Sequence, residues 1–188
     1  MVSNFDKALV FFLNATLGIY ILLLMLRFLL QLFRGGFRDV IARFIFQVTH
    51  PPLQVLYNII PGWRGIDFAA IVLMILLEIL KLFLTYLLLS DQSFGFFSLF
   101  VIALTRLVSL ALRIFFWAII IQVIFSWVAL LSNNPSFYRE NPLSGILYHL
   151  TEPLLGPVRR RLPYMQGIDI SPLVVTILLY AGILLLGG

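Results

Sequence analysis

A gapless internal repeat constrains this chain more than any other feature of its sequence. The stretch THPPLQVLYNIIPGWRGIDFAA at 49–70 returns 102 residues later as TEPLLGPVRRRLPYMQGIDISP at 151–172. The first threonine, two prolines and a Gly-Ile-Asp triplet occupy the same places in both copies. The sequence therefore predicts a tandem duplication, with residues 1–93 as the first repeat and residues 94–188 as the second.

Long apolar runs flank both copies and identify lipid as the main solvent. The chain is 62% hydrophobic and 11% charged, and its mean hydropathy is +1.06. A soluble domain carries about 25% charged residues, and one helical crossing of a bilayer needs about 20 apolar residues. We therefore predict an all-α membrane protein with an interfacial segment from residue 94 and four transmembrane helices. These predicted spans are 8–33, 68–89, 111–131 and 171–186.

An amphipathic segment lies between the two spans of each repeat. Apolar residues at i, i+3, i+4 and i+7 begin at Ile41 and again at Leu143, which is typical of a helix lying in the membrane interface. Pro51 and Pro52 are expected to end the first such helix, and a shorter apolar piece follows at 53–60. Each repeat is thus predicted to carry an interfacial amphipathic helix pair.

Polar residues are expected to mark the ends of three spans. Asp67 precedes the second span, where a carboxylate accepts hydrogen bonds from free backbone N–H groups and suits the positive end of the helix dipole. Ser171, followed by Pro172, is typical of an N-cap. Arg27 lies near the end of the first span and is expected to extend its charged end outward to the membrane surface.

Basic residues are concentrated in the loops that follow spans one and three. Such loops are usually cytosolic, so both termini are predicted outside, and the two repeats share one orientation. The net charge of +5 is then explained by membrane topology, and we expect no nucleic-acid partner. The loop residues counted are Arg34, Arg38, Arg43, Arg64, Arg139, Arg159, Arg160 and Arg161, against Lys7 on the opposite side.

The second copy of the motif, TEPLLGPVRRRLP followed by GIDISP, resembles the signature of the YGGT family of small bacterial and plastid membrane proteins. In the first copy His50 replaces the acid, Tyr57 and Asn58 replace the arginines, and Ala70 replaces the proline. The resemblance implies a non-catalytic protein of the bacterial cytoplasmic membrane, linked to osmotic-stress tolerance and membrane-complex assembly. The candidate partner- or lipid-binding residues are Glu152, Pro153, Arg159, Arg160, Arg161, Pro163, Gly167, Asp169 and Pro172.

Two interpretations apply to the charges of this motif. The arginine triplet 159–161 can contact anionic lipid headgroups, worth about 1 kcal/mol per residue. Alternatively, one of these arginines pairs with Asp169 or Glu152 and fixes the interfacial helix against the fourth span. Asp67 and Asp169, which share one place in the repeats, either cap helices or bind an ion or proton.

Glu78 lies near the middle of the predicted second span, about 16 Å from its start. A charge at that depth costs roughly 2.5–3.5 kcal/mol. Lys81 is three residues away, and Arg113 of the third span is expected to approach from the outer side. These three residues form a candidate intramembrane ionic site. It is a structural ion pair between helices, part of a transport or proton path, or a site where Glu78 is neutral and has no special role.

Several chemistries have no support in the sequence. The chain has no cysteine and two histidines, His50 and His149, which the repeat does not superpose, so no metal or cofactor is predicted. The sequence favours a scaffold or assembly factor acting through cytosolic amphipathic hairpins. The alternative is a small oligomeric ion channel or transporter. The expected partners are anionic lipid headgroups and either further copies of the chain or another membrane protein.

Overall fold

The computed structural model describes residues 3–33, 40–58, 60, 66–89, 95–131, 142–161 and 169–187. This part of the chain is all-helical, as predicted, with six α-helices. The motif residues Pro163 and Gly167 and the segments 34–39, 61–65 and 132–141 lie outside the described residues. The helices are α1 (Asn4–Leu32), α2 (Val40–Tyr57), α3 (Phe68–Leu89), α4 (Phe96–Leu131), α5 (Pro142–Arg159) and α6 (Ser171–Leu185).

Three of these helices, α1, α3 and α4, are long and apolar enough to cross a membrane. Helix α3 coincides with the predicted second span. Helix α6 is equally apolar but has 15 residues, a length of about 23 Å. Large apolar side chains such as Phe11, Leu87 and Trp127 are exposed on the outer faces of the long helices, as expected for helices surrounded by lipid.

Helix α1 begins earlier than the predicted span because its first turn is capped. Ser3 Oγ accepts a hydrogen bond from the Asp6 N–H at 3.1 Å, and Asp6 Oδ2 accepts one from the Ser3 N–H at 2.9 Å. This reciprocal pair is a capping box, which satisfies N–H groups that a helix start otherwise leaves free. The helix therefore starts at Asn4.

Helix α4 is one continuous helix of 36 residues, about 54 Å long. It has no break at Ala111, so the third span predicted at 111–131 is the C-terminal part of a longer helix rather than a helix of its own. The N-terminal part of α4 packs on α3, where Leu99 and Ala103 form a small buried cluster with Leu82. This packing stabilises the part of α4 that is N-terminal to the predicted span.

Helices α2 and α5 each run for 18 residues through two internal prolines. The prediction that Pro51 and Pro52 end the first interfacial helix is therefore wrong, and one helix replaces the expected pair. An internal proline costs about 3 kcal/mol, but a buried stripe continues at helical spacing across both prolines and packs against α1. That stripe consists of Ala42, Ile45, Thr49 and Leu53.

The two halves of the chain follow the same order of elements. Each has a long apolar helix, a proline-containing helix of 18 residues and a second apolar helix. Helix α1 packs along α3, α4 packs along α6, and the α3–α4 contact joins the halves. The shared core includes Leu24, Met74, Ile119 and Leu155. The polar residues of the motif lie where the proline-containing helices meet this core.

Candidate functional site

An arginine at the end of α5 connects that helix to the start of α6. Arg159 Nε donates a hydrogen bond to Asp169 Oδ2 at 2.8 Å, and its terminal nitrogen donates to Glu152 Oε2 at 3.3 Å. The Asp169 Oδ1 atom accepts the Ser171 N–H at 2.9 Å. This geometry corresponds to the interpretation in which one arginine of the triplet has a structural ion pair. We call Gln122, Thr151, Glu152, Arg159 and Asp169 the second-repeat junction.

The start of α6 differs from the sequence prediction in one respect. Ser171 is the first helical residue and makes no side-chain capping bond, so its assignment as N-cap is wrong. The acceptor is instead Asp169, two residues earlier, whose carboxylate binds the Ser171 N–H. Pro172 lies in the first turn as predicted. It lines a cavity of about 350 Å³ together with Asp169 and Trp127.

The charges of this junction stabilise each other. Burial raises the pKa of Asp169, but hydrogen bonds from Ser171 and Arg159 outweigh burial and hold that pKa below its ordinary value. Burial likewise lowers the pKa of Arg159, but the two carboxylates raise it above the ordinary value. Both side chains of the pair are about one-third exposed, at 34% and 31%. A pair in such contact with solvent contributes about 0–1 kcal/mol.

The first repeat builds its junction from different residues. Arg27 donates hydrogen bonds to Thr49 Oγ1 and to the Tyr57 hydroxyl, both at 3.0 Å, and lies 4.3 Å from the centre of the Phe46 ring. The Tyr57 hydroxyl donates to Asp67 Oδ2 at 2.5 Å. We call Arg27, Thr49, Tyr57 and Asp67 the first-repeat junction.

Arg27 is 4% exposed, so the prediction that it extends outward to the membrane surface is wrong. It points inward because three groups of α2 surround its guanidinium, namely the Thr49 hydroxyl, the Tyr57 hydroxyl and the Phe46 ring. Asp67 caps α3 as predicted, accepting the Ala70 N–H at 3.0 Å, but it is 2% exposed rather than at an open membrane edge.

Tyr57 connects the two charges of the first-repeat junction. Burial and the hydrogen bond to Asp67 raise the pKa of Tyr57 to about 12, so its hydroxyl stays protonated and can donate at neutral pH. The Tyr57 hydroxyl bridges Arg27 and Asp67, because it accepts a hydrogen bond from Arg27 and donates one to Asp67. The junction therefore holds α1, α2 and α3 together by one continuous chain of hydrogen bonds.

The two junctions share a threonine and an aspartate. Thr49 donates to the Ile45 carbonyl oxygen at 2.6 Å, and Thr151, its counterpart, donates to the Leu147 carbonyl oxygen at 2.8 Å. Each threonine is fully buried and also forms a hydrogen bond to the long helix that precedes it. Thr49 bonds to Arg27 of α1, and Thr151 bonds to the side-chain amide of Gln122 in α4. The places of Arg27 and Tyr57 are thus taken by Gln122 and Arg159.

Arg160 and Arg161 are exposed and form no ion pair with any described residue. Arg160 lies at one end of a groove of about 370 Å³ along α5, which also includes Glu152 and Pro153 of the motif. We call this feature the motif groove. Its lining residues are Phe33, Tyr148, His149, Glu152, Pro153, Gly156, Pro157 and Arg160.

The candidate intramembrane site is organised around Glu78, which is 2% exposed. Lys81 Nζ lies 2.6 Å from Glu78 Oε2, and an Arg106 terminal nitrogen lies 3.7 Å from Glu78 Oε1. Arg113, the residue expected from sequence, lines the same cavity but has no ion pair among the described residues. The sequence places Arg106, Ser109 and Arg113 at helical spacing, which is the signal that could have identified Arg106.

Metal binding has no structural counterpart in the described ranges. No group of three or more His, Asp or Glu side chains there is arranged to hold a metal ion. The polar clusters just described instead pair acids with arginine, lysine and tyrosine. Their chemistry is ion pairing and hydrogen bonding between helices.

Comparisons with known proteins agree with the motif. The family model described as CCB3/YggT matches residues 7–88 and 101–188. An uncharacterized protein of Pseudomonas aeruginosa is 38% identical over 169 residues, covering 89% of this chain and 82% of the relative. YggT of Escherichia coli K12 is 31% identical over 174 residues, covering 93% and 86%. No solved structure gives a significant match. The chain belongs to the CCB3/YggT family.

Proposed function

We propose that this CCB3/YggT protein is a non-catalytic scaffold of the bacterial cytoplasmic membrane that docks a segment of another membrane protein in the motif groove. In this proposal α1, α3, α4 and α6 are four spans in two parallel repeats, and α2 and α5 lie at the cytosolic face. Both termini are outside. The role expected for such a scaffold is in osmotic-stress tolerance or in the assembly of membrane complexes.

The different roles of the three arginines carry this proposal. Arg159 is used within the fold, where it joins α5 to α6. Arg160 and Arg161 follow it directly but are exposed and unpaired among the described residues. Unpaired arginines beside a groove favour binding of acidic groups, because complementary charges orient and select a partner.

The composition of the motif groove supports a protein partner. Tyr148 and Arg160 belong to the residue types that dominate binding energy at interfaces, and the groove also holds Phe33 and His149. Pro153 and Pro157 lie within α5 and restrict its backbone, so little conformational freedom is lost when a partner binds.

The length of α6 supports a partner within the membrane. A helix of about 23 Å is shorter than the roughly 30 Å hydrocarbon core. A short span is accommodated by local bilayer thinning or by association with other helices. Either further copies of the chain or another membrane protein would relieve this mismatch.

Site-specific photo-cross-linking in intact cells tests the docking proposal. A photoreactive phenylalanine analogue replaces Tyr148 in the motif groove or, as a matched control, Tyr180 on α6. These tyrosines are 47% and 53% exposed. We expect a discrete protein adduct from position 148 that is lost in the Arg160→Gln/Arg161→Gln variant, whereas any adduct from position 180 on α6 should be unchanged by these two substitutions. An adduct at 148 that persists without the two arginines would refute charge-guided docking.

A small oligomeric ion channel or transporter is the second candidate, and one observation favours it. Glu78 is buried in α3, and its Oε1 atom has no hydrogen-bond partner in the part of the chain that the structure describes. An ionisable residue within a membrane often belongs to an ion pathway. Potassium and sodium flux into liposomes containing the purified protein, compared with Glu78→Gln, tests this function. Flux that requires Glu78 would favour transport over the scaffold.

A further inference from the structure

A cavity lies beside the C-terminal end of α6. Leu186 and Gly187, which follow α6, form one wall of a cavity of about 300 Å³ whose other walls come from α1, α3 and α4. Ligand sites in proteins commonly begin at about this volume. We call this feature the basic cavity. Its polar and small lining residues are Gly18, Glu78, Lys81, Arg106, Ser109 and Arg113.

The charges of the basic cavity do not balance. Lys81, Arg106 and Arg113 are cationic, and Glu78 is the single acid in the lining. Glu78 pairs with Lys81 at 2.6 Å and lies 3.7 Å from Arg106, while Arg113 has no ion pair within the described ranges. Unbalanced cations between membrane helices favour binding of an anion, and the phosphate of a lipid headgroup is one such anion.

Glu78 adds a second requirement to the ligand. Its Oε1 atom is buried without a hydrogen-bond partner among the described residues, and Arg106, whose terminal nitrogen lies 3.7 Å from that atom, is too distant to donate a hydrogen bond. A buried carboxylate oxygen needs a donor. The ligand is therefore expected to present an O–H or N–H group close to its negative charge.

The basic cavity has room for a ligand and a route of access. A methyl group built on Gly18 would meet no atom within 4 Å, so this wall faces open space. The Arg106 side chain is 52% exposed, which connects the cavity to the outside of the helix bundle. A group on a lipid or in solution can reach the cations without unfolding the helices.

We propose that the basic cavity binds a phosphate group that carries a neighbouring hydroxyl donor. Arginine matches phosphate with two parallel N–H···O bonds, and the hydroxyl would donate to Glu78 Oε1. A metal cation would be repelled by the three basic side chains, and an apolar ligand would leave them unpaired. The headgroup of phosphatidylglycerol has this chemistry, and so does free glycerol phosphate.

Lipid retention by the purified protein tests the proposal. The fraction of protein that carries phosphatidylglycerol or phosphatidylcholine is measured by native mass spectrometry in a nonionic detergent. Calorimetry with glycerol phosphate on lipid-free protein tests the soluble source. We expect retention of phosphatidylglycerol, binding of glycerol phosphate, or both, and each result identifies the source of the phosphate. Binding of neither compound would overturn the proposal.

Three variants locate the binding. Arg106→Gln/Arg113→Gln keeps the Glu78–Lys81 ion pair and is expected to lower the affinity at least tenfold. Gly18→Leu keeps every charge but places a side chain in the cavity, and it is expected to lower the affinity similarly. This variant keeps the test valid if the arginine variant folds poorly. Arg160→Gln/Arg161→Gln removes equal charge elsewhere and should change the affinity less than twofold. Equal losses in the last variant and the cavity variants would overturn the site.

Discussion

Replacing Tyr57 with phenylalanine removes one oxygen atom that connects three helices. The Tyr57 hydroxyl accepts a hydrogen bond from Arg27 at 3.0 Å and donates one to Asp67 at 2.5 Å. Phenylalanine keeps the ring and its packing. The substitution therefore isolates the contribution of these two hydrogen bonds to the free energy of unfolding.

The expected loss follows from the charge and burial of the two partners. A hydrogen bond to a charged group contributes about 1.5–3 kcal/mol. Tyr57 is half-buried, so a water molecule can replace part of what is lost. Asp67 keeps the hydrogen bond from the Ala70 N–H and stays almost fully buried. It loses its hydrogen-bonded connection to Arg27. We expect Tyr57→Phe to lower the free energy of unfolding by about 2–4 kcal/mol.

Equilibrium unfolding in mixed detergent micelles measures this loss, with Tyr148→Phe as the control. Tyr148 is 47% exposed, and a substitution at such a surface position changes stability by at most about 0.5 kcal/mol. The two variants make the same chemical change in the two proline-containing helices. A loss below about 0.5 kcal/mol for Tyr57→Phe would refute the bridging role of its hydroxyl.

The pH dependence gives a second readout of the same hydroxyl. The pKa of Tyr57 is raised from 10.0 to about 12, so the folded state holds this proton more tightly than the unfolded state. Its contribution to stability is present below pH 10 and is lost as the pH rises through about 12. The stability difference between wild type and Tyr57→Phe should therefore shrink over that interval.

Three further predictions concern the first-repeat junction, the second-repeat junction and the α4–α6 contact. Asp67→Asn should lower the unfolding free energy by about 3–5 kcal/mol, because it breaks a buried charge network. Asp169→Asn, whose side chain is about one-third exposed, should cost about 1 kcal/mol in the same micelle assay. Because the pKa of Asp169 is held below its ordinary value of 3.8, its contribution to stability is present above that pH. Acid unfolding below it should be less steep in Asp169→Asn. Gly182→Leu should cost about 1–3 kcal/mol in thermal unfolding, since even a methyl group there would lie 3.2 Å from Leu112 Cδ1.

The repeat and the apolar pattern predicted a large part of this fold. Helix α3 has the predicted bounds, and Asp67 caps it as expected. Thr49 and Thr151, which the repeat superposes, make the same bond to their own helix. These features follow from local chemistry, because a helix start needs an acceptor and a span needs a minimum number of apolar residues.

The errors of the sequence interpretation have a common physical cause. Local patterns usually predict that an arginine near the end of a membrane helix extends outward and that a proline pair ends a helix. A very long apolar run suggests a division into two segments. Here tertiary contacts outweigh these three tendencies. Arg27 is drawn inward by Thr49 and Tyr57, α2 continues through its prolines over a buried stripe, and α4 is held by α3 beyond the predicted span. Partners distant in sequence cannot be identified from local patterns.

The first-repeat junction is best understood as a rearrangement of the second-repeat junction, and the first copy of the motif is therefore not simply degenerate. Each repeat must hold its capping aspartate, Asp67 or Asp169, against the preceding proline-containing helix. The second repeat does this with Arg159 on that helix. In the first repeat the matching place holds Tyr57, and the cation comes instead from Arg27 on the long helix. The cation has thus moved to another helix while the aspartate kept its place.

The same exchange leaves the first-repeat junction buried and the second-repeat junction partly exposed, beside Arg160 and Arg161. The second repeat is therefore the one able to combine a structural arginine with arginines available to a partner.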